Sequence, residues 1–339
     1  MKSKRIILLF TVTCSILLAS CTCNHERDLN VPDKAVAKDT MTVKIKRYEK
    51  ALFNIPNGQL AAQLKALQPE YRIFLDGDLN DSSNIKQLRA YINDRYIRNN
   101  YEEVVKKFPD LKDLEAQLTQ ALKYFKFYFP GKKVPKVYTY VSGMDFELPV
   151  KYADSALIIA LDMYLGKDYG FYQSCGLPLF KRVYMEKSYI ARDCMEQIAS
   201  YYVYTNPHDA TLLDHMVKAG KILYFIDATL PQLADSVKIK YLTHQLKWCT
   251  DNESRIWAFF IDKKMLYSQD GQENMKLMMD GPFTSGFGKE SAPRPGMWIG
   301  WQIVRAYMNE NRDVSIKNML LEPDSKKILQ LSKYKPKKT

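Results

Sequence analysis

Residues 192–199 read RDCMEQIA, and helical spacing sets Arg192, Met195, Glu196 and Ala199 along one face. Met195-Glu196-Gln197-Ile198-Ala199 has the frame of H-E-x-x-H, in which two histidines one turn apart hold zinc and the glutamate activates the bound water. The glutamate is present, but Met195 and Ala199 stand in the histidine places. Glu196 alone cannot hold a metal, so the stretch predicts no metal, no cofactor and no catalytic residue. Two readings stay open: a disarmed metal helix, or an ordinary amphipathic core helix that contains one glutamate.

Other chemistry is weaker. The four histidines are His25, His208, His215 and His244. His208 and His215 are seven apart and share a helix face, so a three-histidine site would need His244 folded in; separate histidines are the plainer expectation. The acid pairs Asp145/Glu147 and Asp154/Asp162 flank strand ends, where a general acid and base could face a groove. Aspartates there more often punctuate turns. Ser142-Gly143 and Thr284-Ser285-Gly286 lack the G-x-S-x-G elbow. The run from Gly281 to Gly288 lacks the Lys-Ser/Thr of a phosphate loop and reads as a mobile loop with exposed aromatics. Tyr164, Tyr169, Phe171, Tyr172 and Tyr184 could line a groove for a peptide or glycan, although core packing explains them better.

The elements that must position these residues read as helix-rich, small sheet, helix-rich. VKIKRYEKALF is a short strand running into a helix. Apolar residues recur every three or four positions in IKQLRAYINDRYIRNNYEEVVKKF and LKDLEAQLTQALKYFKFYF, which predicts two helices. VPKVYTYVSG, FELPVKY and SALIIALDMYLG are strand candidates, the first two joined as a hairpin around Ser142–Asp145. Helices follow over roughly 188–203, from an Asn206-Pro207 start through LLDHMVKAGKILYFID, and through YLTHQLKWCTDNESRIWAFFIDKKML. The class is α+β, predominantly α-helical with a small mixed sheet.

The start of the chain speaks to location. Lys2, Lys4 and Arg5 precede the apolar run IILLFTVTCSILLAS, which is signal-peptide length and too short for a stable span. Leu18-Ala19-Ser20-Cys21 has the order of a bacterial lipobox, so residues 1–20 read as a leader and Cys21 as the lipid attachment point. Acyl chains on Cys21 would anchor the chain firmly. Residues 21–40 are polar and read as a flexible tether, and 41–335 as a single globular domain in one or two lobes. The chain is basic, with 50 Lys and Arg against 38 Asp and Glu. No helix-turn-helix, zinc-finger or RNP pattern accompanies that charge, so nucleic acid is not an expected partner. Cys23, Cys175, Cys194 and Cys249 are far apart, and their pairing is not legible.

The most distinctive stretch is PRPGMWIGWQIVRAYM, residues 293–308: Gly296 permits a turn, and Gly300 would let a helix pack closely on a neighbour. With the lipobox, SALIIALDMYLG, MVKAGKILYFID and the Trp248/Asn252-Glu253/Trp257 helix, it resembles the gliding-motility-associated lipoprotein GldB family of Bacteroidota, over nearly the whole mature chain. That resemblance implies an envelope lipoprotein, outer-membrane anchored and facing the periplasm, with protein partners in the gliding machinery and its associated type IX secretion apparatus. It supplies no activity; Arg294, Gly296, Trp298 and Trp301 are candidates for an interaction surface. The order sheet, H-E-x-x-H helix, second helix also resembles zincin-like peptidases. That likeness implies a degenerate fold of their kind, with Gly220 matching and Ala219 where the third ligand would stand. The expected function is interaction rather than catalysis. The alternatives are a zinc peptidase with non-standard ligands and a cell-wall or glycan-binding lipoprotein.

Overall fold

The computed structural model describes residues 31–153, 155–205 and 211–337. Its first part runs α1 (Val31–Ala37), β1 (Ile45–Arg47), α2 (Tyr48–Phe53), α3 (Leu60–Leu67), α4 (Ser82–Asn93), α5 (Arg95–Lys107) and α6 (Lys112–Tyr128). The middle holds β2 (Lys136–Tyr140), β3 (Val150–Ala153), β4 (Ala156–Ala160), α7 (Gly170–Ser174), α8 (Leu179–Arg182) and α9 (Ile190–Tyr202). Then come α10 (Leu212–Thr229), α11 (Asp235–Ile239), α12 (Thr243–Asp251), α13 (Glu253–Asp262), α14 (Gly271–Met278), α15 (Pro295–Glu310), α16 (Ile316–Leu321) and α17 (Ser325–Ser332). The class is α+β and predominantly helical, as the pattern predicts. Among the described residues no helix is long and apolar enough to cross a membrane.

The sheet has the order β1-β2-β4-β3. β1, β2 and β4 are parallel, with Val137 opposite Ile45 on one side and Leu157 on the other. Successive buried residues in β2 and β4, such as Val137-Tyr138 and Leu157, Ile159 and Ala160, follow from a sheet covered on both faces. The expected hairpin between the first two strand segments does not form, because β4 lies between β2 and β3. β3 instead pairs antiparallel with β4, Tyr152 opposite Leu157. The turn after β2 passes through Gly143 and Met144 at positive φ, 72° and 78°, and is fastened to Asp162 beyond β4.

Two predicted helices are each broken once. Asp94, with extended ψ of 129°, separates α4 from α5, and its carboxylate accepts from the amides of Tyr96 and Ile97 at 2.8 and 3.0 Å. Asn252 separates α12 from α13 and donates from its side chain to the Trp248 carbonyl at 2.9 Å. Hydrophobic period runs through both breaks, so periodicity could not reveal them. The helix expected to start at Asn206-Pro207 begins at Leu212 in the described part, capped by Thr211 in a capping box with Asp214; Asn206 and Pro207 lie outside the described residues. α1 falls inside residues 21–40, the segment expected to be a tether. Val36 is buried, and Asp39 pairs with Lys126 of α6 at 2.7 Å.

α10 and α15 form the centre of the helical layer, with α9, α6, α14 and α17 around them. Their backbones meet at two glycines. A Cβ on Gly300 would sit 1.9 Å from the Met216 carbonyl oxygen, and one on Gly220 would sit 2.2 Å from the Gly300 carbonyl oxygen. The close approach anticipated at Gly300 is therefore real, and only glycine allows it. α9 packs on β3 and β4 as well as on α10, so it joins the sheet to this helical pair.

Candidate functional site

α9 carries Arg192, Asp193 and Glu196 toward the segment 238–240 that ends α11. Arg192 is 1% exposed, and its Nε donates to the Lys238 carbonyl at 2.8 Å. One guanidinium nitrogen donates to Asp193 at 3.1 Å and also to Glu196. Lys240 reaches Asp193 at 2.8 Å, and the Tyr164 hydroxyl donates to the same carboxylate at 2.9 Å. Burial alone would raise the Glu196 carboxyl; Arg192, with Lys240 and Arg294 behind it, pulls it down to about 2. Burial and the Asp193 charge push the Tyr164 hydroxyl well above its ordinary range.

A second group is wired to the first through α11. Lys238 gives its carbonyl to Arg192 and its ammonium to Asp227 on α10, at 2.9 Å. Asp227 also accepts from the Trp301 indole and from Arg305, each at 2.8 Å. Arg305 lies over the Trp301 ring, 3.7 Å from its centroid, and bridges to Asp235 at 2.9 Å. Arg294 closes the arrangement by donating to the carbonyls of Ile239 at 3.1 Å and Lys240 at 2.7 Å. Two guanidiniums thus satisfy the orphan carbonyls at the end of α11, where a cation is also favoured by the helix dipole.

The charges balance within the cluster: Arg192, Lys238, Lys240, Arg294 and Arg305 meet Asp193, Glu196, Asp227, Asp235 and Asp280. Each carboxylate is already answered by a cation of the chain. A general base works best with a pKa near the operating pH, and Glu196 is held far below it. Met195 and Ala199 are fully buried in the core and Ala219 is half-buried, so none of the three positions offers a nitrogen or oxygen ligand. The residues present do not fit a zinc ion of the H-E-x-x-H kind. This cluster binds elements of the fold to one another.

The whole chain supports a definite kinship. A family model described as gliding motility protein GldB matches residues 30–336 of the 339. The chain belongs to the GldB gliding motility family. No curated protein and no solved structure matches it. The match begins at the edge of α1.

In this chain several predicted site residues fall elsewhere than expected. Arg294, Gly296, Trp298 and Trp301 are all buried, with Trp301 fully so, and they build the α15 seam rather than a surface. The reason is legible in the contacts. Gly296 sits against Met278 and Met216, and Trp301 spends its indole N–H on Asp227. Tyr164, Tyr172 and Tyr184 are buried in the core, and Tyr172 donates to the Asp162 carbonyl at 2.6 Å. Asp145 pairs with Lys151 at 2.8 Å, and Glu147 is exposed. Asp162 is buried under the turn after β2, accepting from the amides of Ser142 and Met144 at 2.8 and 3.1 Å. Burial raises its carboxyl despite those donors.

The loop from Gly281 to Gly288 is pinned: Thr284 and Ser291 are buried and bonded to each other, and Phe287 packs on Trp248 and Phe259. His215 lies on α10 and His244 on α12. Among the described residues no group of three His, Cys, Asp or Glu side chains is placed to hold a metal ion. Cys175, Cys194 and Cys249 are free thiols. Cys21, Cys23, His25, Asp154 and His208 lie outside the described residues. The network through Asp227, Lys238 and Arg305 was missed from sequence. Its one available signal is a charge inside an apolar helical run, Asp227 in ILYFID and Arg305 in WQIVRAYM.

Proposed function

We propose that this chain is a lipid-anchored envelope protein that serves gliding motility, and the secretion apparatus coupled to it, by binding other proteins rather than by turning over a substrate. The single observation that carries the non-catalytic part is the state of Glu196: it is ion-paired to Arg192, with Met195, Ala199 and Ala219 in the places a metal-dependent peptidase fills with ligands. The anchor rests on the order of residues from Lys2 to Cys21, and the outer-membrane, periplasm-facing placement rests on kinship with lipoproteins of the gliding system.

The test is complementation of a strain deleted for the gene. The deletion should abolish colony spreading, and both the wild-type chain and Glu196→Gln should restore it. A Glu196→Gln protein that accumulates folded yet leaves the colony non-spreading would put the enzyme reading ahead of this one. Separately, labelled palmitate should be incorporated into the wild-type chain and lost in Cys21→Ala; label retained in that variant would remove the anchor assignment.

A further inference from the structure

One face of the body combines apolar surface with lysine, at the end of the domain from which the N-terminal segment departs. α1 and the last turns of α6 enclose a depression of about 250 Å³. Ala35, Val36, Phe127 and Pro130 supply its apolar part, and Lys123 and Lys126 stand at it. Phe127 is 46% exposed. Lys34 and Lys38 extend the basic surface along α1, both exposed, and Lys133 continues it in the turn after α6. Over residues 31–39 and 121–136 the sequence has seven lysines against two acids, Asp33 and Asp39, and Asp39 is taken by Lys126 at 2.7 Å.

We infer that this α1/α6 face is a membrane-docking surface for anionic lipid headgroups, seated on the bilayer that holds the lipid of Cys21. The inference rests on the lipid-anchored reading above and adds an orientation to it. Two observations choose the occupant. Nine residues, 22–30, separate Cys21 from α1. At most about 3.6 Å per residue, they keep the start of α1 within roughly 35 Å of the headgroups. That is less than the width of a body this size, about 50 Å for a radius of gyration near 20 Å. The chemistry then matches: an aromatic side chain between lysines is the pattern of an interfacial contact, apolar ring at the acyl boundary and ammonium groups on phosphates. A partner protein would need an acidic patch there, and a second copy would have to bring lysine against lysine.

The experiment uses the full-length lipidated chain reconstituted in vesicles of phosphatidylcholine, with or without phosphatidylglycerol. Phe127→Cys carries an environment-sensitive fluorophore, with Cys23 and Cys175 changed to Ser so that only the buried Cys194 and Cys249 remain as other thiols. The fluorophore should be quenched by spin-labelled lipid in the anionic vesicles and far less in the neutral ones, and added salt should relieve the quenching. Each lysine near an anionic surface is worth roughly fivefold, so reversing Lys34, Lys38, Lys123 and Lys133 to Glu should lower the docked fraction ratio by two orders of magnitude or more. Thermal unfolding of that variant should stay close to the parent, since Lys34, Lys38 and Lys133 are exposed and Lys123 stands at the rim of the depression. A fluorophore that stays in water on both vesicle types overturns the docking surface while leaving the anchor intact. Equal shielding on both, insensitive to charge reversal, also overturns it and points to a second copy over the face. A chain that floats with neither vesicle overturns the anchor itself, and the docking surface with it.

Discussion

At Arg192 the side chain makes three kinds of contact at once: a carbonyl of α11, its neighbour Asp193, and Glu196 one turn along. Removing it leaves Glu196 without its ion pair and the Lys238 carbonyl without its donor, while Asp193 keeps Lys240 and Tyr164, so the cost falls at the lower end for a broken buried pair, about 3 kcal/mol. Arg192→Leu should therefore lower the unfolding free energy by about that much in a urea titration, with the m-value unchanged. Glu196→Gln should cost only about 1–2 kcal/mol, because Arg192 keeps Asp193 and the Lys238 carbonyl. The pH behaviour follows from the same pair. Glu196 titrates near its ordinary 4.5 when unfolded and at about 2 when folded, so its contribution is complete above about pH 4.5 and disappears as pH falls through 2. Stability of the wild type should fall more steeply than that of Glu196→Gln between those limits; parallel curves would mean that the ion pair adds nothing. What sequence could offer here was partial. The spacing of Arg192 and Glu196 at i, i+4 was visible, but Lys240 and Arg294 arrive from 48 and 102 positions away along the chain, and no local period announces them.

Elements tell a similar story of local legibility and non-local surprise. Gly300 in IGWQIV invited a close helix contact, and α10 supplies the partner through Met216 and Gly220. Gly300→Ala would drive a methyl into a backbone carbonyl that cannot rotate away. The helices would have to part along the seam that buries Trp301, Ile303 and Val304. A loss of about 3 kcal/mol or more is expected, at the upper end of overpacking effects, and the melting temperature of the purified protein reads it directly. Asp94 offers the mild counterpart. As the cap between α4 and α5 it satisfies two amides, and Asp94→Ala should cost about 1 kcal/mol while Asp94→Asn should cost little. The break at Asp94 escaped sequence reading because an aspartate in mid-helix is also a plain solvated residue, and the apolar rhythm on either side stays in phase. The strand order escaped it for another reason. VPKVYTYVSG and FELPVKY have the composition of neighbouring strands, but β4 is the partner of both, and Asp162 beyond its end fastens the turn after β2, a long-range contact that no local pattern announces.

On the scale of the whole molecule, a composition that changes from helix-rich to strand-rich and back is compatible with one lobe or two. The contacts of α9 bear on that choice. Its Cys194, Met195, Ile198 and Ala199 are all buried, and the helix touches β3 and β4 on one side and α10 on the other. Among the described residues the buried apolar side chains form one connected cluster from Val43 to Ile328 that takes in both the sheet and the helices. The charge cluster adds to this connection, since α9, α10, α11 and α15 each contribute at least one member. Two lobes joined in this way cannot lose one without exposing the apolar face of the other, so they should unfold together. Calorimetry of the chain should give a single transition whose calorimetric and van't Hoff enthalpies agree. Arg192→Leu should shift that transition down as one peak, because its contacts lie where the layers meet. If the variant instead splits the transition, with the sheet melting apart from the α10/α15 pair, the cluster is a hinge between two units and the single core is only apparent.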